Sequence, residues 1–134
     1  MQSNDDFGKL VLRATLAILM LFHGVSKLMN GIDPIMGMAA KAGLPSGFAF
    51  LVYIGEVIAP LMILFGIWAR LGAVIVAINM IVAVALAHLL QLFTMGKTGG
   101  WALELQGFYF FTAVAVALLG AGSYSMGGRS GKWN

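Results

Sequence analysis

Apolar residues form four long continuous runs along the chain, which cover about residues 10–29, 48–68, 71–93 and 101–122. A bilayer core about 30 Å thick requires about 20 mostly apolar residues in helical conformation. Each run is expected to be a helix, because a spanning segment must satisfy its own backbone hydrogen bonds. The pattern therefore predicts an all-α integral membrane protein. Residues 1–9 form an N-terminal tail, residues 10–122 a four-helix bundle, and residues 123–134 a flexible Gly/Ser-rich C-terminal tail.

The connections between the runs predict the topology. A tight hairpin is expected around Ala69-Arg70, between the second and third runs. Four spans place both termini on one side of the membrane. Basic residues are more numerous on the side that holds the termini and the hairpin. That side carries Lys9, Arg13, Arg70, Arg129 and Lys132, and the other side carries Lys27, Lys41 and Lys97. Because cytoplasmic loops are enriched in Lys and Arg, both termini are predicted to be cytoplasmic.

Composition narrows the class of protein. Hydrophobic residues make up 60% of the 134 residues and charged residues 10%, whereas a soluble domain has about 25% charged residues. The net charge of +3 comes from basic residues scattered singly along the chain, which does not indicate a nucleic-acid-binding surface. The absence of cysteine excludes disulfides, iron–sulfur ligation and cysteine-ligated zinc within this chain.

Polar residues inside the spans are the candidate functional residues, because charge within a bilayer usually pairs or lines a cavity. Six of them are expected to converge in the outer half of the bundle: His23, Lys27, Glu56, His88, Gln91 and Glu104. We expect Glu56 to pair with Lys27 or His23 and to form a pocket open to the outside. The alternative is polar contacts that only hold helices together, or, for His88 and Glu104, simple solvation near the membrane edge.

Two other polar residues are expected to lie elsewhere. Arg13 is close enough to the inner edge to extend its guanidinium to the interface. Asn79 is nine residues from His88, about 180° around a regular helix. It is therefore expected to face away from the cavity, in a packing or oligomer contact. Pro60 is expected to free a backbone carbonyl near Glu56.

The two histidines also permit other cofactors. Bis-histidine haem ligation occurs in helix bundles, but the depths of His23 and His88 are expected to differ by about one helical turn. A metal site built from histidine and glutamate is a further alternative, although no spacing in the chain matches a ligand motif. No tightly bound cofactor is expected.

Three motifs carry a family resemblance: Phe22-His23-Gly24-Val25-Ser26-Lys27-Leu28, the run from Glu56 to Gly66 and Arg70, and Leu119-Gly120-Ala121-Gly122-Ser123-Tyr124-Ser125-Met126. They resemble the signatures of the DoxX family over about residues 9–126. The resemblance implies a multi-pass protein of the bacterial inner membrane, linked to quinone-coupled oxidation or to redox and detoxification complexes. By position, the matching residues are Gly24, Lys27, Glu56, Gly66 and Arg70.

The leading hypothesis is an accessory subunit of a quinone-linked redox or detoxification system. His23 and Glu56 would relay protons, and Lys27 would bind an anion or a quinone oxygen, with Gly24, His88, Gln91 and Glu104 as further ligand-binding residues. The expected partners are the lipid bilayer, a soluble or membrane redox protein and a second copy of the chain. The alternatives are a small proton-coupled transporter that uses Glu56 and a scaffold that docks a soluble enzyme without chemistry of its own.

Overall fold

A computed structural model describes residues 2–97 and 99–134, with the backbone alone described at residues 2, 3, 46 and 87–89. The described residues are mostly helical and form no strand, which confirms the predicted all-α class. The α-helices are α1 (Gln2–Asn30), α2 (Asp33–Lys41), α3 (Leu51–Tyr53), α4 (Ala59–Phe65), α5 (Ala69–Ala83) and α6 (Glu104–Leu119).

Irregular helical turns occur next to α3, α4 and α5. A 3₁₀ segment, Ser46–Phe50, leads into α3, and a π-helical segment, Ile54–Ile58, joins α3 to α4. Beyond α5, the chain continues as a π-helical segment, Val84–His88, and a 3₁₀ segment, Leu89–Gln91. Single π-turns inside α-helices are frequent at functional sites.

Among the described residues, three helical stretches are long and apolar enough to cross a bilayer: Asn4–Asn30, Gly47–Phe65 and Ala69–Leu86. We call them the first, second and third spans. Helix α6 is also apolar but has 16 residues, shorter than these three. It packs mainly against α5 and also contacts α1. The chain is therefore a multi-pass membrane protein.

A dry core forms where the spans and α6 meet. Its larger members are Leu16 and Met20 of α1, Ile63 of α4 and Val116 of α6, each at most 2% exposed. Small residues allow the helices to approach closely: a Cβ on Gly72 of α5 would lie 2.9 Å from the Ala59 carbonyl oxygen. Such small-residue contacts are typical of helix packing in membranes.

The turn between the second and third spans lies earlier than predicted. Helix α4 ends at Phe65 because Gly66 adopts a left-handed conformation with φ of 70°. The Gly66 and Ile67 amides both donate to the Met62 carbonyl, at 2.9 and 3.0 Å. This is the hydrogen-bonding pattern of a glycine-terminated helix. The turn therefore comprises residues 66–68, and Ala69 and Arg70, expected in the hairpin, are the first residues of α5.

The expectation that Arg13 extends to the interface is wrong. The residue is 1% exposed. Its guanidinium donates to the carbonyls of Ile63, at 2.8 Å, and Leu64, at 3.3 Å, and also to that of Tyr124. The last carbonyls of a helix have no partner within the helix, so Arg13 caps α4 from a neighbouring helix. The Arg13 side chain lies inside the bundle because the carbonyls at the end of α4 accept its hydrogen bonds there.

Arg70 caps α6 in the same way at the same end of the bundle. Its Nη1 donates to the carbonyls of Ala117, at 3.0 Å, and Leu118, at 2.9 Å. We call this end, where α4 and α6 end and α1 and α5 begin, the capped end. The opposite end, which holds α2 and residues 92–97 and 99–103, is the loop end.

Residues 123–134, which their Gly/Ser composition predicts to be a flexible tail, make many hydrogen bonds at the capped end. The Ala69 amide donates to Asn134 Oδ1 at 3.0 Å, and the Arg70 amide to the Trp133 carbonyl at 2.8 Å. The Met126 amide donates to the Phe65 carbonyl at 2.9 Å. The tail thus provides hydrogen-bond partners for the first amides of α5 and for one of the last carbonyls of α4. No side chain at the N-cap of α4 or α5 forms a capping hydrogen bond.

Candidate functional site

A partly buried ion pair joins α1 to the second span. Lys27 Nζ contacts Glu56 Oε1, and the Glu56 side chain is 6% exposed while that of Lys27 is 26% exposed. Lys27 lies in the last turn of α1, and Glu56 lies in the π-helical segment. Of the two partners expected for Glu56, the structure provides Lys27.

Asn79 of α5 is the third member of this polar group, contrary to expectation. Its Nδ2 donates to Glu56 Oε2 at 3.2 Å. The expectation assumed regular α-helical rotation from Asn79 to His88, but residues 84–88 are π-helical, which changes the angular relation between the two positions. Lys27, Glu56 and Asn79 are called the polar triad below.

Two glycines make room for the polar triad. A Cβ on Gly24 of α1 would overlap the Glu56 carbonyl oxygen and lie 2.7 Å from the carbonyl carbon. A Cβ on Gly55 would lie 2.6 Å from Asn79 Cγ. Gly24 therefore allows α1 to approach the backbone of the second span, and Gly55 allows the Asn79 side chain to reach Glu56.

The π-helical geometry around Glu56 has a local cause. Pro60 has no amide hydrogen and cannot donate to the carbonyl of Glu56, four residues earlier. The Ala59 amide donates to the Ile54 carbonyl, five residues back. The Glu56 carbonyl is thus available at the surface where Gly24 packs. The expected defect near Glu56 takes the form of a widened turn.

A cavity of about 520 Å³ adjoins the polar triad. It lies between α2, the second span and α5, and all three triad residues line it. Its other walls are apolar and include Ile35, Met38, Phe48, Leu51, Ile75 and Val82. A cavity of this size, apolar with a few converging polar groups, has the character of a small-molecule site.

The triad gives this cavity a chemically distinctive end. The positive charge of the Lys27 ammonium group and the negative charge of the Glu56 carboxylate cancel, so this end of the cavity has no net charge. Lys27 carries donors beyond the one that meets Glu56, and the Glu56 carboxylate and the Asn79 carbonyl carry acceptor lone pairs. The end can therefore bind an uncharged polar group that both donates and accepts hydrogen bonds.

His23 occupies a different environment from the triad. Its ring packs edge-to-face on Tyr109 of α6, with ring centroids 5.8 Å apart. His23 is exposed, whereas Tyr109 is 9% exposed. Within the described part of the chain, Glu56 has Lys27 and Asn79 as side-chain partners and not His23. The relay role of His23 stays a prediction.

The other predicted site residues lie at the loop end. Gln91 is exposed, and its carbonyl accepts hydrogen bonds from the amide and hydroxyl of Thr94. Glu104 is exposed and its carboxylate lies beside Gly100. Among the described residues, those that line the cavity include neither of the two. The side chain of His88 lies outside the described residues.

The described residues contain no group of three or more His, Cys, Asp or Glu side chains placed to hold a metal ion.

Asn79 is the site residue that sequence reasoning missed. Its depth in the membrane could have indicated it. Asn79 lies ten residues after the start of the third span, and Glu56 lies nine residues before the end of the second span, so the two residues are at the same level.

Comparisons with known proteins agree with the motif resemblance. The family model described as DoxX matches residues 8–89. A protein of Bacillus subtilis (strain 168), named "Putative oxidoreductase CatD", is 28% identical over 121 residues, which cover 90% of this chain and 85% of that protein. No solved structure matches the chain.

Proposed function

The chain belongs to the DoxX family, and from this premise we propose that it is a membrane-embedded accessory subunit of a redox system that binds a quinone-type lipid in the cavity beside the polar triad. The observation that carries the proposal is Glu56, a carboxylate 6% exposed at the polar end of an otherwise apolar cavity.

The redox assignment rests on the family and on the relative. The relative from Bacillus subtilis carries the name of an oxidoreductase. This chain has no cysteine to hold an iron–sulfur cluster. We therefore assign electron transfer to a partner, a soluble or membrane redox protein, and assign binding and proton exchange to this chain.

The triad residues would divide the work at a quinone ring. Lys27 would donate a hydrogen bond to a ring oxygen. Glu56 would exchange protons with the ring oxygens, since reduction of a quinone to a quinol requires protons as well as electrons. Asn79 would hold the Glu56 carboxylate in position. The apolar walls would hold the hydrocarbon tail.

Four spans with both termini in the cytoplasm are the topology we propose. Helix α6 is 16 residues long, which gives about 24 Å at about 1.5 Å per residue, and the chain continues through Gly120 to the capped end. The capped end would then face the cytoplasm and the cavity the opposite side of a bacterial inner membrane. Association with a second copy of the chain remains part of the proposal.

The binding proposal is tested by titrating a short-chain ubiquinone analogue into the purified protein in lipid nanodiscs. We expect saturable binding that Glu56→Gln weakens by about tenfold or more, because a hydrogen bond to a charged group contributes about 1.5–3 kcal/mol. Glu104→Gln is the matched control, since Glu104 is exposed at the loop end.

Two results would overturn the proposal. One is the absence of saturable binding to the wild-type protein. The other is equal affinity of the wild-type protein and Glu56→Gln for the quinone analogue, which would show that the quinone does not contact the polar triad.

A further inference from the structure

Two tryptophans at the capped end have unusual backbone conformations. Among described residues other than glycine, positive φ angles occur at Trp68 (51°) and Trp133 (58°). The left-handed conformation costs an L-residue about 1–2 kcal/mol. Hydrogen bonds fix both backbones: the Trp133 carbonyl accepts from the Arg70 amide at 2.8 Å, and the Trp68 carbonyl accepts from the Gly72 amide at 3.0 Å.

Both of these residues carry large aromatic side chains that lie at the surface. Trp68 is 52% exposed and Trp133 is 60% exposed. Other exposed large apolar residues of this end include Phe65, Ile67, Tyr124 and Met126. Such strained positions mark functional surfaces when the surrounding structure enforces them. Tryptophan and tyrosine are enriched at the headgroup level of a bilayer, where one part of the ring system is apolar and the other polar.

Positive charge accompanies these aromatic residues. The basic residues at this end are Lys9, Arg13, Arg70, Arg129 and Lys132, and the acidic ones are Asp5 and Asp6. Asp6 is 4% exposed and lies 3.4 Å from Arg129 Nε. Arg13 and Arg70 are held by carbonyls. Lys132 is exposed and adjoins Trp133 in sequence.

We propose that the capped end is a docking surface for the anionic phospholipid headgroups of one bilayer leaflet. Trp68 and Trp133 lie at the level of the headgroups, and Lys132 binds the phosphate of an anionic lipid. Residues 120–134 are then part of the membrane-facing surface. This inference is independent of the quinone proposal, because it uses the other end of the bundle.

Tryptophan quenching by brominated lipids tests the proposal. The full chain is placed in nanodiscs in which either the anionic phosphatidylglycerol or the neutral phosphatidylcholine carries bromine near the top of its acyl chains. Trp68→Phe with Trp101→Phe leaves Trp133 as the probe. Trp101→Phe with Trp133→Phe leaves Trp68 as a second, independent probe.

We expect brominated phosphatidylglycerol to quench both probes more strongly than brominated phosphatidylcholine does. Each basic residue near an anionic surface contributes about 1 kcal/mol, which corresponds to about a fivefold preference. Lys132→Gln should remove most of that preference at Trp133. Lys97→Gln, at the loop end, is the matched control and should leave it unchanged.

Quenching of both probes by aqueous iodide but by neither lipid would overturn the proposal and indicate a surface for water or a soluble partner. Equal quenching by the two brominated lipids would overturn the claim of selectivity for anionic headgroups.

Discussion

At the residue scale, the position of Glu56 governs the site. A carboxylate removed from water is very costly unless it has a partner, and breaking a buried ion pair leaves the remaining charge uncompensated. Lys27 and Asn79 together meet both carboxylate oxygens of Glu56. The contacts explain why the charge is tolerated beside an apolar cavity, and they also leave donors and acceptors for a ligand.

Lys27→Met should destabilise the protein by about 3–5 kcal/mol, because it leaves the Glu56 carboxylate buried without its cation. Adding Glu56→Gln should restore much of the loss, since the amide carries no charge. Chemical unfolding in detergent of the two single variants and the double variant measures the coupling. If Lys27→Met alone unfolds like the wild-type protein, the ion pair has no energetic importance.

Gly24→Ala should destabilise the protein by about 1–3 kcal/mol, the usual cost of overpacking, because the new methyl group overlaps the Glu56 carbonyl. Gly8→Ala on the same helix is the matched control. No heavy atom lies within 4 Å of a Cβ built there, and alanine favours a helix interior over glycine. The midpoint of thermal unfolding should therefore fall for the first variant and not for the second. A fall of the same size for both would show that α1 does not approach the second span at Gly24.

The sequence predicts some of these residues and not others, for physical reasons. Opposite charges on adjacent spans predict that Glu56 pairs with Lys27 or His23, and the structure provides Lys27. Asn79 escapes prediction, because angular position on a regular helix cannot be extrapolated through a π-helical segment. The burial of Arg13 escapes as well, because its partners are carbonyls, which every residue carries.

At the scale of elements, helix ends at the capped end are satisfied by residues distant in sequence. Arg13 caps α4, Arg70 caps α6, and Asn134 with Trp133 caps α5. Hydrophobic runs predict the spans, since the bilayer requires apolar helices of that length. They do not predict this network, because capping partners more than 40 residues away leave no local pattern.

Deletion of residues 128–134 should uncap α5. The Ala69 and Arg70 amides lose the partners that Asn134 and Trp133 provide, so their hydrogen exchange should become faster. Mass spectrometry of exchanged peptides from the start of α5 makes the measurement. Lys97→Ala, a change at an exposed residue of the loop end, serves as the control. Unchanged exchange at Ala69 and Arg70 after the deletion would contradict the capping role of the tail.

At the scale of the whole molecule, topology follows from whether α6 crosses the bilayer. The chain lacks cysteine, so single cysteines can report on each side. In intact cells, a membrane-impermeant maleimide should label Lys41→Cys and Lys97→Cys and should not label Asn4→Cys or Ser130→Cys. All four positions are exposed in the protein. Labelling of Ser130→Cys without Asn4→Cys would place the termini on opposite sides and leave an odd number of spans.

Photolabelling with an azido-quinone, followed by mass spectrometry of the labelled peptides, tests whether a quinone binds in the cavity beside Glu56. We expect labels on cavity residues such as Leu51, Ile75 and Val82, and we expect these labels to disappear when unlabelled quinone competes. A second groove, between α1 and α6, is lined by Leu105 and Phe108 among others. If the competed labels lie in that groove and none lies in the cavity beside Glu56, the quinone does not bind at the polar triad.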